Sequence, residues 1–436
     1  MLKENKLQSA LAQEESVFTK SETQLVARNG ILIVGAGLAG LTLALALSKW
    51  GIVSTVIEKQ KQIEPSRWAI LVYPQTIKLF DELGVLEDIR KLGIPLSGPE
   101  MVVDGESLLQ INSGLLLEPR YNYHMNLGPS EIREVLEKHV ISQGVEILKG
   151  VDCAQVLREA NRITGVQAKR NGSQSLKISC KVAIDATGYR SILRNQLPIR
   201  SNVVQHDSLV VCFFVDNYLH GQDRIELFLG NGYESLSLPC TETRICLAYQ
   251  EKGLTLEELK EKGGEAYVRR RILDAAPNLW RVMERSTANL ADGSMVTVQP
   301  MISRVEPFTV EGMVVIGDSA HSVHPGTGSG AQLAFQDAVV LAPIIQNCLN
   351  RDDFSEALLN EYESNRRPLM KITDITGRSV DSIVFAKGRM KRWLRSRQLR
   401  AINKLMSRKE YQELVAGVRA PTGKEAFILT LRTIVS

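Results

Sequence analysis

The stretch from Ile31 to Lys59 constrains this chain more than any other part of its sequence. An apolar run predicts a β-strand, which leads directly into the spacing Gly35, Gly37, Gly40 at the start of a helical pattern. A second apolar run then ends at Glu58. Glycines with this G-x-G-x-x-G spacing permit a sharp turn, close approach of a pyrophosphate and tight packing of helix on strand. The order of strand, glycine turn, helix and strand therefore predicts a dinucleotide site.

The predicted helix would offer free N–H groups and the positive end of its dipole to phosphates. Glu58 would end the second strand, where a carboxylate can accept hydrogen bonds from both hydroxyls of an adenosine ribose. An acid at this position favours an unphosphorylated ribose. The alternative is a tight turn without a ligand, and the motif alone leaves both NAD and FAD open.

Length and composition set the class of protein. At 436 residues the chain is long for one hydrophobic core, which predicts two interleaved lobes. With 44% hydrophobic and 23% charged residues, it is typical of a globular protein rather than a disordered or fibrous one. Six scattered cysteines form no C-x-x-C pair, which favours reduced core thiols in the cytoplasm. Residues 1–28 show no signal-peptide core, and the apolar run Ile31 to Leu47 is too interrupted by glycines to cross a membrane.

Two further junctions between a strand and a loop follow along the chain. A strand ending at Asp185 leads into Ala-Thr-Gly, which would place backbone against a ligand at the carboxyl edge of an open sheet. Residues 208–249 then alternate between apolar and polar, which predicts an antiparallel sheet as the floor of a second lobe. A third strand delivers Gly317 and Asp318 into a loop rich in glycine and proline, and a helix begins near Gly330. The carboxylate could bind a polyol, and the helix start could bind an anionic or electron-rich ring edge.

His321 and His324 in the third loop raise the question of a metal ion. Two histidines on one loop, without a cluster of further ligands nearby in the sequence, do not predict a zinc site. We therefore expect no metal at this loop.

These stretches together resemble the single-component, class A FAD-dependent monooxygenases, a family of aromatic-ring and quinone hydroxylases. The resemblance runs from about Gly30 to about Pro368. It implies an α/β fold in which a Rossmann-type FAD-binding domain is interleaved with an antiparallel-sheet substrate domain and followed by a C-terminal helical region. The predicted boundaries are 1–28 for a flexible lead-in, 29–72, 128–195 and 303–368 for the FAD-binding domain, 73–127 and 196–302 for the substrate-binding domain, and 369–436 for a helical, basic C-terminal region.

The resemblance also implies a role for each motif. The glycine fingerprint and its acid would hold the adenosine diphosphate, the Gly-Asp pair the ribityl chain, and the Pro-x-x-Gly-x-Gly loop the isoalloxazine ring. The cofactor-binding residues predicted in this way are Gly35, Gly37, Leu38, Ala39, Gly40, Glu58, Lys59, Arg67, Asp185, Gly188, Asp318, Pro325, Gly328, Gly330 and Ala331. The chain departs from the family pattern at Thr187, where an acid is usual, at Pro129, where an arginine is usual, and at Gln332, where an asparagine is usual.

The function implied is that of an FAD-dependent monooxygenase. NADH or NADPH would reduce the flavin, O2 would form a C4a-hydroperoxide, and its terminal oxygen would pass to an aromatic, quinone-like or polyketide small molecule. A flavin-linked reductase of an isoprenoid or other lipophilic substrate is one alternative, and a non-catalytic FAD-binding protein is another. A flavin-dependent halogenase is disfavoured, because the tryptophans are isolated and form no W-x-W-x-I-P motif.

Substrate-side residues follow from position in the chain. Residues 73–125 and the strands within 208–249 would wall the pocket. The aromatic candidates are Tyr73, Tyr121, Tyr123, His124, Phe213, Phe228 and Tyr233. If a phenol is activated by deprotonation, His124 or His324 would be the catalytic base.

The segment Lys387 to Lys409 carries ten Lys or Arg residues and no acid. Wound as a helix, it places Met390, Leu394, Ala401 and Leu405 on one stripe, with poor separation of apolar and charged residues. We expect this stripe to rest on the flavin lobe. Peripheral contact with anionic lipid headgroups is the alternative, and nucleic acid is disfavoured because no aromatic stacking platform accompanies the charges.

Overall fold

The computed structural model describes residues 23–112, 118–216, 221–286 and 295–406. Most of the predicted lead-in and the last 30 residues of the chain lie outside this part. The strands are β1 (Thr23–Val26), β2 (Ile31–Val34), β3 (Thr55–Glu58), β4 (Ile70–Val72), β5 (Pro99–Val103), β6 (Glu106–Gln110), β7 (Met125–Leu127), β8 (Glu146–Lys149), β9 (Val151–Glu159), β10 (Arg162–Arg170), β11 (Gln174–Ser179), β12 (Val182–Asp185), β13 (Arg200–Gln205), β14 (Ser208–Val215), β15 (Ile225–Leu229), β16 (Tyr233–Thr241), β17 (Arg244–Lys252), β18 (Val296–Val298), β19 (Met301–Glu306), β20 (Thr309–Val310) and β21 (Met313–Val315). The α-helices are α1 (Leu38–Lys49), α2 (Pro74–Glu82), α3 (Leu86–Arg90), α4 (Pro129–Ser142), α5 (Leu256–Glu261), α6 (Glu265–Ala275), α7 (Trp280–Ser286), α8 (Gly330–Arg351), α9 (Glu356–Val384) and α10 (Arg389–Met406).

A six-stranded sheet in the order β20-β21-β12-β2-β3-β8 forms the centre of the first lobe. Its strands are parallel except for β20, and β2, β3 and β12 are buried along their whole length. Apolar runs without alternation suit this position, because helices cover both faces of a parallel sheet. The predicted α/β fold is confirmed, and the glycine-rich turn of the sequence joins β2 to α1 at the centre of the sheet.

The core of this first lobe extends further along the chain than the sequence predicted. Helices α2 and α3 pack into it through Ile77, Phe80 and Leu86, together with the sheet strands and α8. The sequence assigned residues 73–127 as a whole to the substrate lobe. In the structure, the apolar faces of α2 and α3 are instead buried in the core of the first lobe.

The second lobe contains a seven-stranded sheet in the order β18-β14-β17-β16-β15-β5-β6. Its neighbours are antiparallel except for the pair β15 and β5. Helices α5, α6 and α7 pack on one face and enclose a separate hydrophobic core. The antiparallel sheet predicted for residues 208–249 is therefore present, with one face covered by helices.

Helix α10 packs against the edge strand β6 of the second lobe rather than on the flavin lobe. Leu399 is fully buried there, whereas Met390 of the predicted stripe is 78% exposed. Arg395 is also buried and donates hydrogen bonds to the carbonyl oxygens of Leu229 and Gly230, at 3.0 and 2.7 Å. The predicted stripe is wrong because an arginine that bonds two backbone carbonyls lies on the packed face. Within the described ranges, no helix combines the length and the hydropathy needed to cross a bilayer.

Candidate active site

The three loops singled out in the sequence meet at one edge of the parallel sheet. The register places Val34 beside Asp185, and Asp185 beside Val315. The chain leaves all three strands at their carboxyl ends, which is where ligands bind in open α/β sheets. A Cβ added to Gly317 would lie 3.0 Å from the Cβ of Ala39, so the third loop also touches the start of α1.

The three glycines of the fingerprint meet different surroundings. Gly35 has φ +107°, and a Cβ there would lie 2.6 Å from the carbonyl oxygen of Ala186. A Cβ on Gly40 would lie 2.0 Å from the carbonyl oxygen of Gly35. A Cβ on Gly37 would be 4.0 Å from the Ala186 oxygen, in ordinary contact. Gly35 and Gly40 are therefore required for packing, whereas Gly37 keeps open a space that protein atoms do not fill.

Helix α1 begins beside that space. Gly37 is its N-cap residue, no side chain caps it, and its first turn holds no acid. The first N–H groups of an α-helix have no partner within the helix, so those of Leu38 and Ala39 are available to an anion. This end of α1 has the chemistry of a pyrophosphate site.

Glu58 ends β3 as predicted, and its carboxylate also organises the glycine loop. Its two oxygens accept the N–H groups of Ala36, at 2.7 Å, and Gln60, at 2.9 Å. The carboxylate has four lone-pair positions, so it keeps capacity for a ribose hydroxyl. Lys59 follows it and is exposed, as is Arg67 in the loop before β4.

Arg133 on α4 belongs to this group, and the sequence prediction missed it. Its Nε donates to the Ala36 carbonyl at 3.0 Å, and its Nη2 lies 4.0 Å from the Glu58 carboxylate. An arginine near the start of a helix opposes the helix dipole. That unfavourable position was the one signal in the sequence that could have marked it.

The middle loop is fastened to the third loop through Asp185. This carboxylate is fully buried and accepts hydrogen bonds from the side chains of Thr187, Ser191 and Ser319. Gly188 N–H donates to Ser319 Oγ at 2.8 Å. These hydrogen bonds hold the middle loop and the third loop together at the edge of the sheet.

Asp318 lies in the turn after β21 and its side chain is accessible. Desolvation by the surrounding protein raises the pKa of its carboxyl. An accessible carboxylate at this edge of the sheet suits a polyol such as a ribityl chain, as predicted.

Behind this turn, Asp337 on α8 is fully buried and was not predicted. It accepts the N–H of Gly317 at 2.8 Å, the Nε of Arg366 at 2.6 Å and a hydrogen bond from His321 at 2.7 Å. Burial would raise its pKa, yet the charges of His321 and Arg366 hold it below its usual value. His321 therefore stabilises a buried carboxylate, which accounts for it without a metal ion.

His324 is 6% exposed and caps the short 3-10 turn Pro325–Thr327. Its Nδ1 accepts the N–H of Gly326 at 3.1 Å, and its Nε2 lies 3.2 Å from Asp381 Oδ1. Both ring nitrogens are thus engaged by the protein. Folding also brings His206 and Asp381 next to His324, a cluster that the sequence did not reveal.

His124, the second predicted base, is fully buried. Burial lowers its pKa to about 3, so the imidazole stays neutral at physiological pH. Its ring meets that of Tyr73 edge-on, with 5.5 Å between centroids. Tyr73 in turn donates a hydrogen bond to the carbonyl oxygen of Thr327 at 2.9 Å. Tyr73 therefore supports the third loop directly, and His124 packs against Tyr73.

The third loop ends at the start of α8. Gly328 adopts φ +60°, and Ser329 is the N-cap residue of a helix whose first turn, including Gly330 and Ala331, holds no acid. A helix start of this kind favours negative charge placed before it. This is the position predicted to face the isoalloxazine ring.

Three predicted pocket residues lie elsewhere. Phe213, Phe228 and Tyr233 belong to the core between the seven-stranded sheet and helices α5 to α7. Successive side chains of a strand point to opposite faces, so their neighbours, such as Cys212, face the other side. The prediction chose the wrong face of the sheet for these aromatics.

Comparison with known proteins identifies the ligand for which this site is built. A family model described as FAD binding domain matches residues 28–374. The 6-methylpretetramide 4-monooxygenase of Streptomyces rimosus is 25% identical over 78% of this chain and 81% of its own length. The para-nitrophenol 4-monooxygenase of a Pseudomonas strain is 26% identical over 78% of this chain and 83% of its own.

A solved structure of p-nitrophenol 4-monooxygenase from Pseudomonas putida shares the fold. It aligns with a TM-score of 0.75 over 91% of this chain and 98% of that one, at 19% identity. The open space at Gly37, the uncapped start of α1 and the accessible carboxylate of Asp318 fit FAD. The chain therefore belongs to the FAD binding domain family and is an FAD-dependent monooxygenase of the class A hydroxylase type.

Proposed function

We propose that this monooxygenase uses NADH or NADPH and O2 to hydroxylate an aromatic, quinone-like or polyketide small molecule. The observation that carries the proposal is the convergence of three loops with FAD-binding chemistry at the edge of one sheet, beside an antiparallel substrate lobe. Two relatives are named for para-nitrophenol and 6-methylpretetramide, which supports an aromatic or polyketide substrate class.

Bound FAD would supply the reaction with O2, and the chain supplies binding, orientation and exclusion of water. The start of α1 would hold the pyrophosphate, Glu58 the ribose and Asp318 the ribityl hydroxyls. The start of α8 would stabilise negative charge on the reduced ring through its dipole. Lys59 and Arg67 are exposed near the adenosine end, where a cation can meet a phosphate.

We assign His124 and His324 to positioning rather than to proton abstraction. His124 has a pKa of about 3 because it is buried, so it is a weak base for a phenol. His324 already uses both ring nitrogens inside the protein. A proton lost by the substrate would then leave through another group or through water.

The test is a balance of reactants on purified protein supplied with FAD. A yellow flavoprotein that consumes O2 and reductant in step with hydroxylated product, across a panel of phenols and quinones, supports the proposal. Turnover of a lipophilic substrate under nitrogen would instead indicate the flavin-linked reductase. Tight FAD binding without oxidation of NADH or NADPH across the panel would indicate a binding protein.

We also propose a cytoplasmic protein that makes a peripheral membrane contact through α10. All six cysteines are free thiols, which supports the compartment. Met390 and Trp393 are 78% and 57% exposed and lie among basic residues. Sedimentation with anionic vesicles should weaken with salt and with Trp393→Ala, and a protein that stays in the supernatant at low salt would contradict the contact.

A further inference from the structure

A cluster of titratable side chains lies behind the third loop, on the side of the substrate lobe. His324 Nε2 and His206 Nε2 lie 3.2 and 3.3 Å from the same oxygen of Asp381. The ammonium of Lys252 donates to the other oxygen. His324 precedes the flavin-facing turn, His206 and Lys252 belong to the substrate lobe, and Asp381 belongs to α9. One carboxylate thus joins three parts of the fold.

The second nitrogen of each ring indicates the direction of these hydrogen bonds. His324 Nδ1 accepts the N–H of Gly326 at 3.1 Å, so the proton of the neutral ring lies on Nε2 and is donated to Asp381. His206 Nδ1 lies 2.7 Å from Ser208 Oγ, which already accepts a bond from a neighbouring side-chain amide. The Ser208 hydroxyl can therefore donate to Nδ1, and His206 Nε2–H donates to Asp381.

A divalent cation is the competing occupant of this cluster. Two imidazoles and a carboxylate whose ligand atoms lie within 4.8 Å of one another could hold one. Binding would require His324 Nε2 to lose its proton, and Gly326 would lose its acceptor in the matching tautomer. The Lys252 ammonium on the same carboxylate would repel a second cation. These contacts favour a hydrogen-bonded cluster centred on Asp381.

Helix α9 also touches the turn directly. A Cβ on Gly377 would lie 2.5 Å from the Cβ of His324, so the helix backbone packs against the histidine. Val380, nearly one turn further along α9, borders Gly326, because a Cβ added to Gly326 would lie 3.1 Å from Cγ1 of Val380. Asp381 adds the directional bond to His324. Packing and hydrogen bonding together define one orientation for the histidine and the turn that it caps.

We propose that Asp381 is a positioning residue that holds the turn Pro325–Gly328 and couples its orientation to the substrate lobe through His206 and Lys252. The inference rests on the proposed function, because the turn is argued there to face the isoalloxazine ring. A shift of the seven-stranded sheet on substrate binding would move two of the donors to Asp381. The turn before α8 would then move with the substrate lobe.

The test compares Asp381→Asn with Asp374→Asn, a matched change on the same helix. Asp374 instead accepts a surface bond from Arg304 at 2.8 Å. Asp381→Asn should keep FAD, alter its visible absorption and circular dichroism, and lower kcat by about 10- to 100-fold with little change in the KM for the reductant. Amide hydrogen exchange of residues 320–332 should accelerate in the FAD-free protein. Asp374→Asn should match the wild type in every measurement.

Two results overturn the inference. One is an Asp381→Asn protein whose flavin spectrum and hydrogen exchange match the wild type. The other is stoichiometric binding of Zn²⁺ in a calorimetric titration that His206→Gln abolishes. If Asp381→Asn does not fold, Lys252→Met takes its place, since that side chain is 40% exposed and donates only to the second oxygen. Lys252→Met must change the flavin spectrum, kcat and hydrogen exchange in the same direction but by less. Wild-type values in all three measurements overturn the inference.

Failure of the proposed function would look different. A wild-type protein that binds no FAD, or that binds it and never consumes O2, contradicts the monooxygenase. Hydrogen exchange in the FAD-free protein still tests the role of Asp381 in that case.

Discussion

Replacing Gly37 with valine would separate a ligand contact from a packing contact within one motif. Gly37 has φ −77° and ψ −176°, an extended conformation that valine adopts readily. A Cβ there approaches the Ala186 carbonyl oxygen only to 4.0 Å. We therefore expect the free energy of unfolding of the FAD-free variant to lie within about 1 kcal/mol of the wild-type value. This difference is the cost of a less favoured N-cap residue.

FAD binding should nevertheless fall steeply, because the pyrophosphate needs the space that valine fills. A loss of about 100-fold in affinity corresponds to about 2.7 kcal/mol. Gly40→Ala should behave differently. Its Cβ would lie 2.0 Å from the Gly35 carbonyl oxygen, so helix α1 would have to move away from the glycine turn that follows strand β2. Such overpacking costs about 1–3 kcal/mol of unfolding free energy with or without FAD.

The assay is denaturant unfolding of the FAD-free proteins together with FAD titration followed by flavin fluorescence. Gly37→Ala serves as an intermediate and should weaken FAD less than Gly37→Val. Wild-type FAD affinity in Gly37→Val would refute the reasoning. So would a Gly37→Val protein that is destabilised as much as Gly40→Ala in the absence of FAD.

Three further changes test other contacts. Asp318→Ala should lose FAD faster on dilution while the FAD-free protein melts like the wild type, and unchanged affinity would show that the ribityl chain lies elsewhere. Arg366→Met removes a partner from the buried carboxylate of Asp337, so the unfolding free energy should fall by about 3–5 kcal/mol, and a smaller loss in denaturant unfolding would contradict the pairing. The pKa of Asp337 is lowered in the folded state, so this carboxylate stabilises the fold above its unfolded pKa of about 4, and the stabilisation is lost as the pH falls. In Arg366→Met, the free energy of unfolding should therefore decrease less steeply with falling pH than in the wild type. Arg395→Met removes the donor to the backbone carbonyls of Leu229 and Gly230, at a cost of about 1–3 kcal/mol each, so chymotrypsin should release α10 faster. Equal cleavage rates would mean that these two hydrogen bonds do not hold the helix in place.

The three loops at the sheet edge could be predicted because their signals are local. Glycine spacing, an apolar run and an acid at its end are all contained within about 30 residues of Gly35. The partners that hold these loops could not be predicted in this way. Asp381 lies 57 residues after His324 in the chain and His206 lies 118 residues before it, so only the folded helix and strands bring the three together.

Residues on the faces of regular elements were the least predictable. Phe213, Phe228 and Tyr233 are aromatic and alternate correctly, but the pleat alone does not say which face meets the ligand and which meets α5 to α7. In α10, hydrophobicity pointed to the stripe with Met390, whereas Arg395 bonds the backbone carbonyls of Leu229 and Gly230 and lies on the packed face. This charged side chain is buried with two of its N–H groups bonded to backbone carbonyls, and a hydrophobic pattern cannot predict such a position.

Helix α9 sets the orientation of two distant turns of the third loop relative to each other. Arg366 holds Asp337 behind the Gly317 turn, and Asp381 holds His324 at the other end of the loop. The two residues are 15 positions apart, about 22 Å along a helix that rises 1.5 Å per residue. One residue inserted between them would rotate one anchor by about 100° relative to the other, so both could not engage at once. The length of this stretch is therefore as constrained as the identity of its anchors, and natural or engineered variants should tolerate substitutions there far better than insertions or deletions.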